Sequence, residues 1–277
     1  MLKQELVISK SNLKDIDLIL KSHMENLNFP MDSYLEDRLD ASEIFEILLG
    51  INPIGYAGVE KGELIFFHII PKYFKHASDA FEFFIKNKNI SKVHVMTQDN
   101  LFCSLMVEWD YKKEKEACWF IDAGRLKKPN TKSINAIFRT ALVSDIDIII
   151  KETGEFFDKL EKRINEKTIF MLEESGELLG CGIIEHGRYC EGFVSIGMIC
   201  LKKHRQKGVG QTILWYLKEH VYKEGKTPIA GCWFYNILSR KTLESAGMIA
   251  ASKGYIATLT GKETPPLRTG NPPGKLV

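Results

Sequence analysis

Apolar positions in residues 133–262 follow two spacings that together predict one ordered series of elements. Alternating or continuous apolar runs predict strands at 136–142, 168–173, 178–185, 193–201, 229–235 and 255–259. Helical spacing predicts helices at 145–152, 155–166 and 211–223, and a short helix between Asn236 and Gly247. The predicted order is therefore strand, two helices, three strands, helix, strand, helix, strand.

The first 122 residues repeat this order in a less regular form. Apolar runs predict strands at 5–8, 53–59, 63–70, 92–97 and 117–122. Helical spacing is found at 13–22, 33–49, 74–86 and 99–108, and the charged run 112–116 predicts a solvated turn. Because the same series occurs twice, the sequence favours a duplicated unit.

The composition changes at two places that predict domain limits. Gly, Pro, Lys and Asn cluster at 124–133, and Pro and Gly recur after residue 263. We expect one domain at 1–128 and a second at 129–262. The segment 263–277 is expected to be a poorly ordered tail, or else a segment that packs on the body or on a partner.

The most informative local sequence lies between the predicted strand 193–201 and the predicted helix 211–223. It reads Arg205, Gln206, Lys207, Gly208, Val209 and Gly210. The first N–H groups of a helix lack partners, and the helix dipole adds positive charge there, so a helix start binds anions. The two glycines allow close approach of the backbone, and the Arg and Lys add full charges. The loop therefore suits a cofactor that carries a diphosphate.

The spacing of this loop excludes two common phosphate-binding patterns. A P-loop needs a Lys-Ser or Lys-Thr pair after its last glycine, and a dinucleotide fold needs a third glycine and a downstream acid. Arg-x-x-Gly-x-Gly, after a strand and before an apolar helix, instead resembles the pyrophosphate loop of the GNAT superfamily of acyl-CoA transferases. A second part of the GNAT pattern follows, with Asn236 after a strand, Ser239 three places on, and Gly247-Met248 after the short helix.

This resemblance implies both a fold and a co-substrate. The implied fold is α/β (α+β), with tandem GNAT-like units that each contain a mixed, mostly antiparallel sheet flanked by helices. The implied co-substrate is acetyl-CoA (CoA), with no metal. The residues expected to bind it are Met198, Ile199, Cys200, Arg205, Gln206, Lys207, Gly208, Val209, Gly210, Gln211, Thr212, Asn236 and Ser239. A bulge at Gly197 is expected to separate the predicted strand 193–201 from the neighbouring strand at 229–234, which would make room for the pantetheine arm.

The corresponding loop of the first unit has lost these features. Aligning 70–73 with 201–204 places Phe74 at the arginine position, Ala77 at the first glycine and Asp79 at the second. A carboxylate beside a pyrophosphate would repel it. We therefore expect the first unit to keep the fold without binding the cofactor, as a structural domain or as a wall of the substrate cleft.

Acyl transfer to an ammonium group needs a proton acceptor. The candidate bases are Glu185 and His186, which end one predicted strand, and Glu191, which precedes the next. Each of them is also compatible with an ordinary solvated turn. The sequence alone leaves the choice among the three open.

The chain departs from the GNAT pattern at the residue that would donate a proton to the leaving thiolate. Many GNAT members carry a Tyr seven residues after the Asn, and this position is Leu243 here. Tyr255 is the candidate replacement, with Tyr235 and Cys232 as further possibilities. A member without such an acid can still work, because a thiolate is a fair leaving group.

Composition serves mainly to exclude other classes of protein. The 277 residues are 44% hydrophobic and 27% charged with a net charge of +2, which is typical of a globular protein and does not indicate nucleic-acid binding. No apolar run is long enough for a membrane span, and no signal-peptide stretch is expected. Six cysteines without Cys-x-x-Cys spacing indicate buried free thiols, so we expect a cytoplasmic protein without a metal site.

The leading hypothesis is an acetyl-CoA-dependent N-acetyltransferase that acts on a primary amine of a small molecule or a peptide, without a nucleic-acid or membrane partner. The alternative is a non-catalytic CoA-binding sensor or regulatory module, which the missing Tyr and the degraded first loop favour. An interaction protein that keeps only the fold is disfavoured by the intact loop at 205–210. A monomer built as a pseudo-dimer and a homodimer are both compatible with the sequence.

Overall fold

Twelve strands form one continuous sheet in the computed structural model, which describes residues 5–25, 27–124 and 136–261. Most of the predicted boundary at 124–133, and the whole tail at 263–277, lie outside these residues. Within the described ranges, no helix is both long enough and apolar enough to cross a membrane.

The first unit supplies half of the strands and half of the α-helices. Its strands are β1 (Leu6–Ser11), β2 (Glu43–Leu49), β3 (Asn52–Glu60), β4 (Glu63–Ile69), β5 (Lys92–Met96) and β6 (Asp110–Asp122). Its helices are α1 (Leu13–Glu25), α2 (Ser33–Asp40), α3 (Ala77–Asn87) and α4 (Asn100–Met106).

The second unit repeats this series. Its strands are β7 (Ile137–Thr140), β8 (Ile169–Glu174), β9 (Glu177–His186), β10 (Phe193–Cys200), β11 (Thr227–Trp233) and β12 (Met248–Gly261). Its helices are α5 (Ile146–Thr153), α6 (Leu160–Asn165), α7 (Val209–Lys223) and α8 (Ile237–Ser245). The predicted element order is confirmed in the second unit and, apart from β2, in the first. The mixed, mostly antiparallel sheet has two parallel pairs, β4 with β5 and β10 with β11.

The two units exchange their last strands. The strand order is β1-β2-β3-β4-β5-β12-β6-β11-β10-β9-β8-β7. Thus β12 of the second unit pairs antiparallel with β5 of the first, and β6 of the first unit pairs antiparallel with β11 of the second. The exchanged strands also pair with each other, from Met248 opposite Asp122 to Gly261 opposite Asp110. One sheet therefore runs through both units.

Each hydrophobic core contains side chains from the exchanged strand of the other unit. In the first unit, Phe67 and Phe81 lie in a buried cluster that also contains Ala257 of β12. In the second, Leu217 of α7 lies in a cluster with Cys118 and Phe120 of β6. Because burial of apolar surface is the main stabilising term in folding, the exchange makes the two cores depend on each other.

Two predicted elements were wrong. The helix predicted over 33–49 ends with α2, and the residues from Glu43 onward form β2. There Phe45 and Ile47 face one core cluster, whereas Ile44 faces another, which is the alternation of a strand buried on both faces. The turn predicted at 112–116 is part of β6, where Lys112 lies opposite Thr258. The charged residues of this segment lack the apolar alternation of a strand, because backbone pairing with β12, rather than burial of an apolar face, stabilises this part of β6.

Candidate active site

A cleft opens where β10 and β11 part. The two strands pair only from Phe193 opposite Thr227 to Ser195 opposite Ile229. Strand β10 continues to pair with β9 as far as Cys200, so its other edge at 196–200 borders the cleft. Gly197 lies opposite Ile183 in an unbroken register, so the predicted bulge at Gly197 was wrong.

The loop after β10 adopts the backbone conformation that its glycines suggest. A 3-10 turn at Lys202–His204 leads into Gln206, with φ of 61°, and Gly208, with φ of 84°, which is the N-cap of α7. A Cβ atom at Gly210 would lie 3.2 Å from the Sδ atom of Met198 and 3.1 Å from Cγ2 of Thr242. The absence of a side chain at Gly210 thus allows the start of α7 to pack closely against β10 and α8.

A cavity of about 520 Å³ lies at this helix start, and most of the residues expected to bind the cofactor line it. They are Met198, Ile199, Cys200, Arg205, Gln206, Gly208, Val209, Gly210, Gln211, Asn236 and Ser239. The structure does not place Lys207 or Thr212 in this wall. Lys207 is exposed, and the hydroxyl of Thr212 donates to the carbonyl oxygen of Gly208 at 3.0 Å. That hydroxyl already closes the first turn of α7.

The opposite wall of the cavity is the N-terminal part of α8. The Oδ1 atom of Asn236 accepts a hydrogen bond from the backbone N–H of Ser239 at 3.1 Å and caps this helix. Sequence reasoning missed Lys241, which lines the cavity together with Leu238 and Ser245. These positions have the i, i+3, i+7 spacing of one helix face, so the pattern was available in the sequence.

The donor groups around the cavity fit a CoA molecule. The start of α7 offers backbone N–H groups, Arg205 and Lys241 add positive charge, and residues 198–200 offer a strand edge. Burial raises the pKa of the Cys200 thiol, so this side chain does not add a competing negative charge. Among the described residues, no group of His, Cys, Asp and Glu is arranged to hold a metal ion.

A second cavity of about 470 Å³ lies beside the first, and Phe156 lines both. Residues of both units form its wall. Its aromatic members are Tyr34, Trp119, Phe156, Phe157 and Trp233, and its carboxylates are Asp32, Glu116, Asp158 and Glu185. We name this space the acceptor cleft, since it adjoins the cavity that fits CoA and extends along the parting strands β10 and β11.

Glu185 is the one candidate base that lines the acceptor cleft. Its carboxylate forms an ion pair with Arg163 at 2.6 Å and accepts a hydrogen bond from the Ser33 hydroxyl at 2.9 Å. Arg163 is shared with Asp158, also at 2.6 Å. Arg163 and Ser33 therefore already occupy part of the hydrogen-bonding capacity of the Glu185 carboxylate.

The structure does not bring His186 and Glu191 to the acceptor cleft. The Nε2 atom of His186 lies 2.8 Å from a carboxylate oxygen of Glu224, just beyond the end of α7. The side chain of Glu191 is 76% exposed and pairs with Lys21 at 3.3 Å. Both residues therefore serve as surface ion-pair members.

The strand exchange also moves the candidate acid away. Tyr255 lies opposite Val95 of β5 and packs against the core cluster of the first unit. Its hydroxyl is 3.3 Å from the hydroxyl of Tyr111, and burial raises its pKa. Among the other candidates, Tyr235 is half exposed, whereas Cys232 lines the acceptor cleft with a thiol whose pKa burial raises to about 11.

Sequence reasoning missed Asp32, a buried carboxylate of the acceptor cleft. Asp32 is the N-cap of α2, and its Oδ1 atom accepts a hydrogen bond from the backbone N–H of Leu35 at 3.0 Å. Its Oδ2 atom accepts from the indole N–H of Trp119 at 2.9 Å. Burial, with smaller contributions from Glu185 and Glu36, raises the pKa of Asp32 to about 6.

Helix α2 is fixed directly to the second unit. The backbone N–H of Ser33 donates to the hydroxyl of Ser195 on β10 at 3.1 Å. The carboxylate of Glu36 accepts from the backbone N–H groups of Arg188 at 2.7 Å and Tyr189 at 3.2 Å, in the connection between β9 and β10. These contacts place Asp32, a residue of the first unit, in the wall of the acceptor cleft.

The equivalent loop of the first unit has a different shape. A 3-10 turn at Pro71–His76 runs directly into α3, without the left-handed residues seen at 206 and 208. The Ser78 hydroxyl donates to the carboxylate of Glu108 at 2.6 Å, and Asp79 lies in the first turn of α3. That the first unit binds no cofactor stays a prediction, which this geometry favours.

Comparison with known proteins relates both halves of the chain to one family. Residues 12–123 match a family model described as acetyltransferase (GNAT) domain, and residues 137–248 match the acetyltransferase (GNAT) family. Together the two matches cover most of the chain. No curated protein matches it.

Solved structures share the whole two-unit architecture. A GNAT-family acetyltransferase from Colwellia psychrerythraea superposes with a TM-score of 0.81 at 18% identity, over 91% of this chain and 99% of that chain. A GCN5-related N-acetyltransferase from Sphaerobacter thermophilus gives 0.62 at 12% identity, over 93% and 97%. A tandem GNAT protein from the clavulanic acid biosynthesis pathway gives 0.59 at 9% identity, over 94% and 100%. At these identities the likeness shows the fold.

Proposed function

The chain belongs to the GNAT superfamily and carries two GNAT domains in tandem, at 12–123 and 137–248, and we propose that only the second binds an acyl-CoA donor. The family implies acyl transfer from CoA. The proposed reaction is direct transfer of an acetyl group to a primary amine held in the acceptor cleft. The first unit contributes to this cleft but does not bind CoA.

One observation carries the proposal: the cavity that fits CoA and the acceptor cleft adjoin along the gap between β10 and β11. The left-handed residues Gln206 and Gly208 form the loop at the start of α7, and Arg205 and Lys241 supply positive charge. These groups would hold the CoA phosphates. Residues 198–200 would align the pantetheine arm on the open edge of β10.

A bound thioester supplies the activated acyl group, and the C–N bond to the amine forms as the C–S bond breaks. The chain contributes position and electrostatics. Backbone N–H groups on the edge of β10 are donors for charge that develops on a carbonyl oxygen. Leu243 is buried in the second core and Tyr255 packs in the first, so neither of these positions protonates the leaving thiolate.

Calorimetric titration of acetyl-CoA and CoA tests the donor site. We expect one site per wild-type chain, and we expect Gly208→Asp to abolish binding because it adds a negative charge and a side chain beside the phosphates. Gly62→Asp is a matched control, since Gly62 has φ of 82° in a hairpin of the first unit and suffers the same backbone strain. Asn236→Ala is expected to weaken binding by removing the α8 cap.

The stoichiometry of this titration is decisive. Two sites per chain would contradict the assignment of the donor site to the second unit alone. The absence of binding by the wild type, or equal binding by Gly208→Asp and Gly62→Asp, would contradict the donor site itself.

A CoA-binding sensor without catalysis is the second candidate function. Leu243 at the position where many relatives have Tyr, and the ion pair that occupies Glu185, both favour it. Release of free CoA thiol on addition of primary amines separates the two functions. Turnover supports the transferase, whereas binding without turnover of any amine supports the sensor.

A further inference from the structure

The carboxylates of the acceptor cleft differ in how they are neutralised. Asp158 and Glu185 both pair with Arg163, and Glu116 lies 3.7 Å from a guanidinium nitrogen of Arg38 and also contacts His94. Within the described residues, Asp32 has no cation at ion-pair distance, although only 6% of its surface is exposed. A buried carboxylate without a cation is costly, so this arrangement favours a positively charged ligand.

The hydrogen bonds of Asp32 leave room for such a ligand. Its two partners, the backbone N–H of Leu35 and the indole N–H of Trp119, are neutral donors that each use one oxygen. An ionised carboxylate accepts about four hydrogen bonds, so Oδ2 retains a lone pair. A Cβ atom at Gly231 of β11 would lie 2.8 Å from Oδ2. The missing side chain at Gly231 thus leaves Oδ2 open to the gap between the strands.

On the basis of the proposed function, we propose that Asp32, supplied by the first unit, binds the ammonium group of the acceptor in the cleft of the second unit and takes its proton. One N–H bond of the ammonium breaks, its electron pair stays on nitrogen, and the proton moves to Oδ2. The neutral amine then attacks the thioester carbonyl carbon. As the C–N bond forms and the C–S bond breaks, a second N–H proton leaves the nitrogen and protonates the departing thiolate, which gives the CoA thiol. Asp32 returns its proton to water when the product leaves.

The cleft also indicates the class of acceptor. Phe156 and Trp233 are exposed and offer apolar, aromatic surface, on which an aryl or alkyl group gains by burial. The one arginine of the wall, Arg163, is already shared by two carboxylates. An acceptor with its own carboxylate would therefore meet excess negative charge. The preferred acceptor is a primary amine on an apolar or aromatic body without a carboxylate.

Several charged or titratable groups face Asp32 and enter its pH dependence. They are Glu36 and Tyr34 on α2, Glu116 on β6, Glu185 on β9 with Arg163 on α6, and Cys232 on β11. Burial, with smaller contributions from Glu185 and Glu36, raises the pKa of Asp32 toward neutral pH, where a general base is most effective. Its conjugate acid then still releases the proton to water after each turnover.

Two acceptors of nearly equal shape separate proton removal from binding. At pH 7, 2-phenylethylamine is an ammonium ion, whereas O-benzylhydroxylamine carries an already neutral nitrogen. With acetyl-CoA at saturation, we expect Asp32→Asn to lower kcat/KM for 2-phenylethylamine by about 100-fold or more, and for O-benzylhydroxylamine far less. The residual rate of the variant with 2-phenylethylamine should rise with pH in step with the fraction of free amine.

The controls separate chemistry from folding. Asp37→Asn makes the same change on the exposed face of α2 and should behave as wild type. If Asp32→Asn does not fold, as judged by thermal unfolding and acetyl-CoA binding, Asp32→Ser removes the carboxylate but keeps a good helix cap. Gly231→Ala retains the carboxylate and places a methyl group against Oδ2, so it should also impair 2-phenylethylamine turnover.

The outcomes distinguish this inference from the proposed function. Equal losses with the two acceptors, or no loss, would overturn Asp32 as proton acceptor while acetyl transfer stands. Preference for phenylalanine or glucosamine over 2-phenylethylamine would overturn the acceptor class. If the wild type neither binds acetyl-CoA nor acetylates any amine, the proposed function and this inference both fail.

Discussion

Trp119 connects the acceptor cleft to the strand exchange. It is almost completely buried on β6, lines the acceptor cleft, and donates its indole N–H to Asp32. The other edge of the ring lies on Gly254 of β12, where a Cβ atom would be 2.5 Å from Cη2 and 2.6 Å from Cζ3. A large rigid side chain thus requires a glycine in the neighbouring strand, and the position of Asp32 depends on both.

We expect Gly254→Ala to destabilise the protein by about 1–3 kcal/mol, because the added methyl group overpacks a rigid ring. Urea unfolding measures this change. Gly192→Ala is the matched control, since a Cβ atom there meets no other atom within 4 Å. We expect it to stay within about 0.5 kcal/mol of wild type. Equal effects of the two substitutions would contradict the packing of Gly254 on Trp119.

Most residues of the cavity that fits CoA were named from the sequence, although Lys241 was missed, whereas only Glu185 and Cys232 of the acceptor cleft were named as candidate site residues. The loop at 205–210 is a contiguous run of six residues, so its charged residues and glycines can be recognised from the sequence alone. Asp32 was predictable as a residue just before a helix, which is a common N-cap position. Its position in the acceptor cleft depends on the strand exchange, because Trp119 of β6 holds it there, and no local sequence pattern predicts this exchange.

At the scale of elements, the exchange of β6 and β12 has the largest consequences. Periodicity identified most helices and strands, because one face of each is buried against a core. It failed for the charged half of β6, where pairing with β12 rather than burial holds the strand. Tyr255 was named as a candidate acid to replace the missing Tyr at position 243, but β12 pairs with β5, and this pairing places Tyr255 against the first core.

We expect neither unit to fold alone as a stable monomer. A fragment of residues 1–124 lacks β12, which pairs with β5 and places Ala257 in the first core. A fragment of residues 136–277 lacks β6, with Cys118 and Phe120 of the second core. Co-expression of the two fragments should restore a 1:1 complex.

Size-exclusion chromatography with circular dichroism tests this dependence. Expressed separately, each fragment should aggregate, self-associate through its open strand edge, or remain unfolded. Cooperative unfolding of either fragment as a monomer would show that the exchanged strand is dispensable for its core.

At the scale of the whole molecule, two buried groups of the first unit change the free energy of unfolding with pH in opposite directions. Burial raises the pKa of Asp32 to about 6 and lowers the pKa of His68 to about 4. The ring of His68 lies 4.5 Å from that of His23, which lowers the pKa further, whereas Asp99 raises it. Both shifts appear in the free energy of unfolding.

The signs of the two contributions differ. The folded protein binds the Asp32 proton more tightly than the unfolded chain, so this stabilisation is present below pH 3.8 and is lost as pH rises through about 6. The unfolded chain binds the His68 proton more tightly, so that stabilisation is present above pH 6.5 and is lost as pH falls through about 4. Each shift corresponds to about 3 kcal/mol.

The two effects should therefore largely cancel between pH 4 and 6.5 in the wild type and appear when either group is removed. Urea unfolding of Asp32→Ser should show stability that rises with pH across this window, relative to wild type, because only the His68 contribution remains. His68→Phe should show the opposite relative slope. Parallel pH profiles of the wild type and both variants would contradict the two shifts, whereas a change in one variant alone would assign the pH dependence to that side chain.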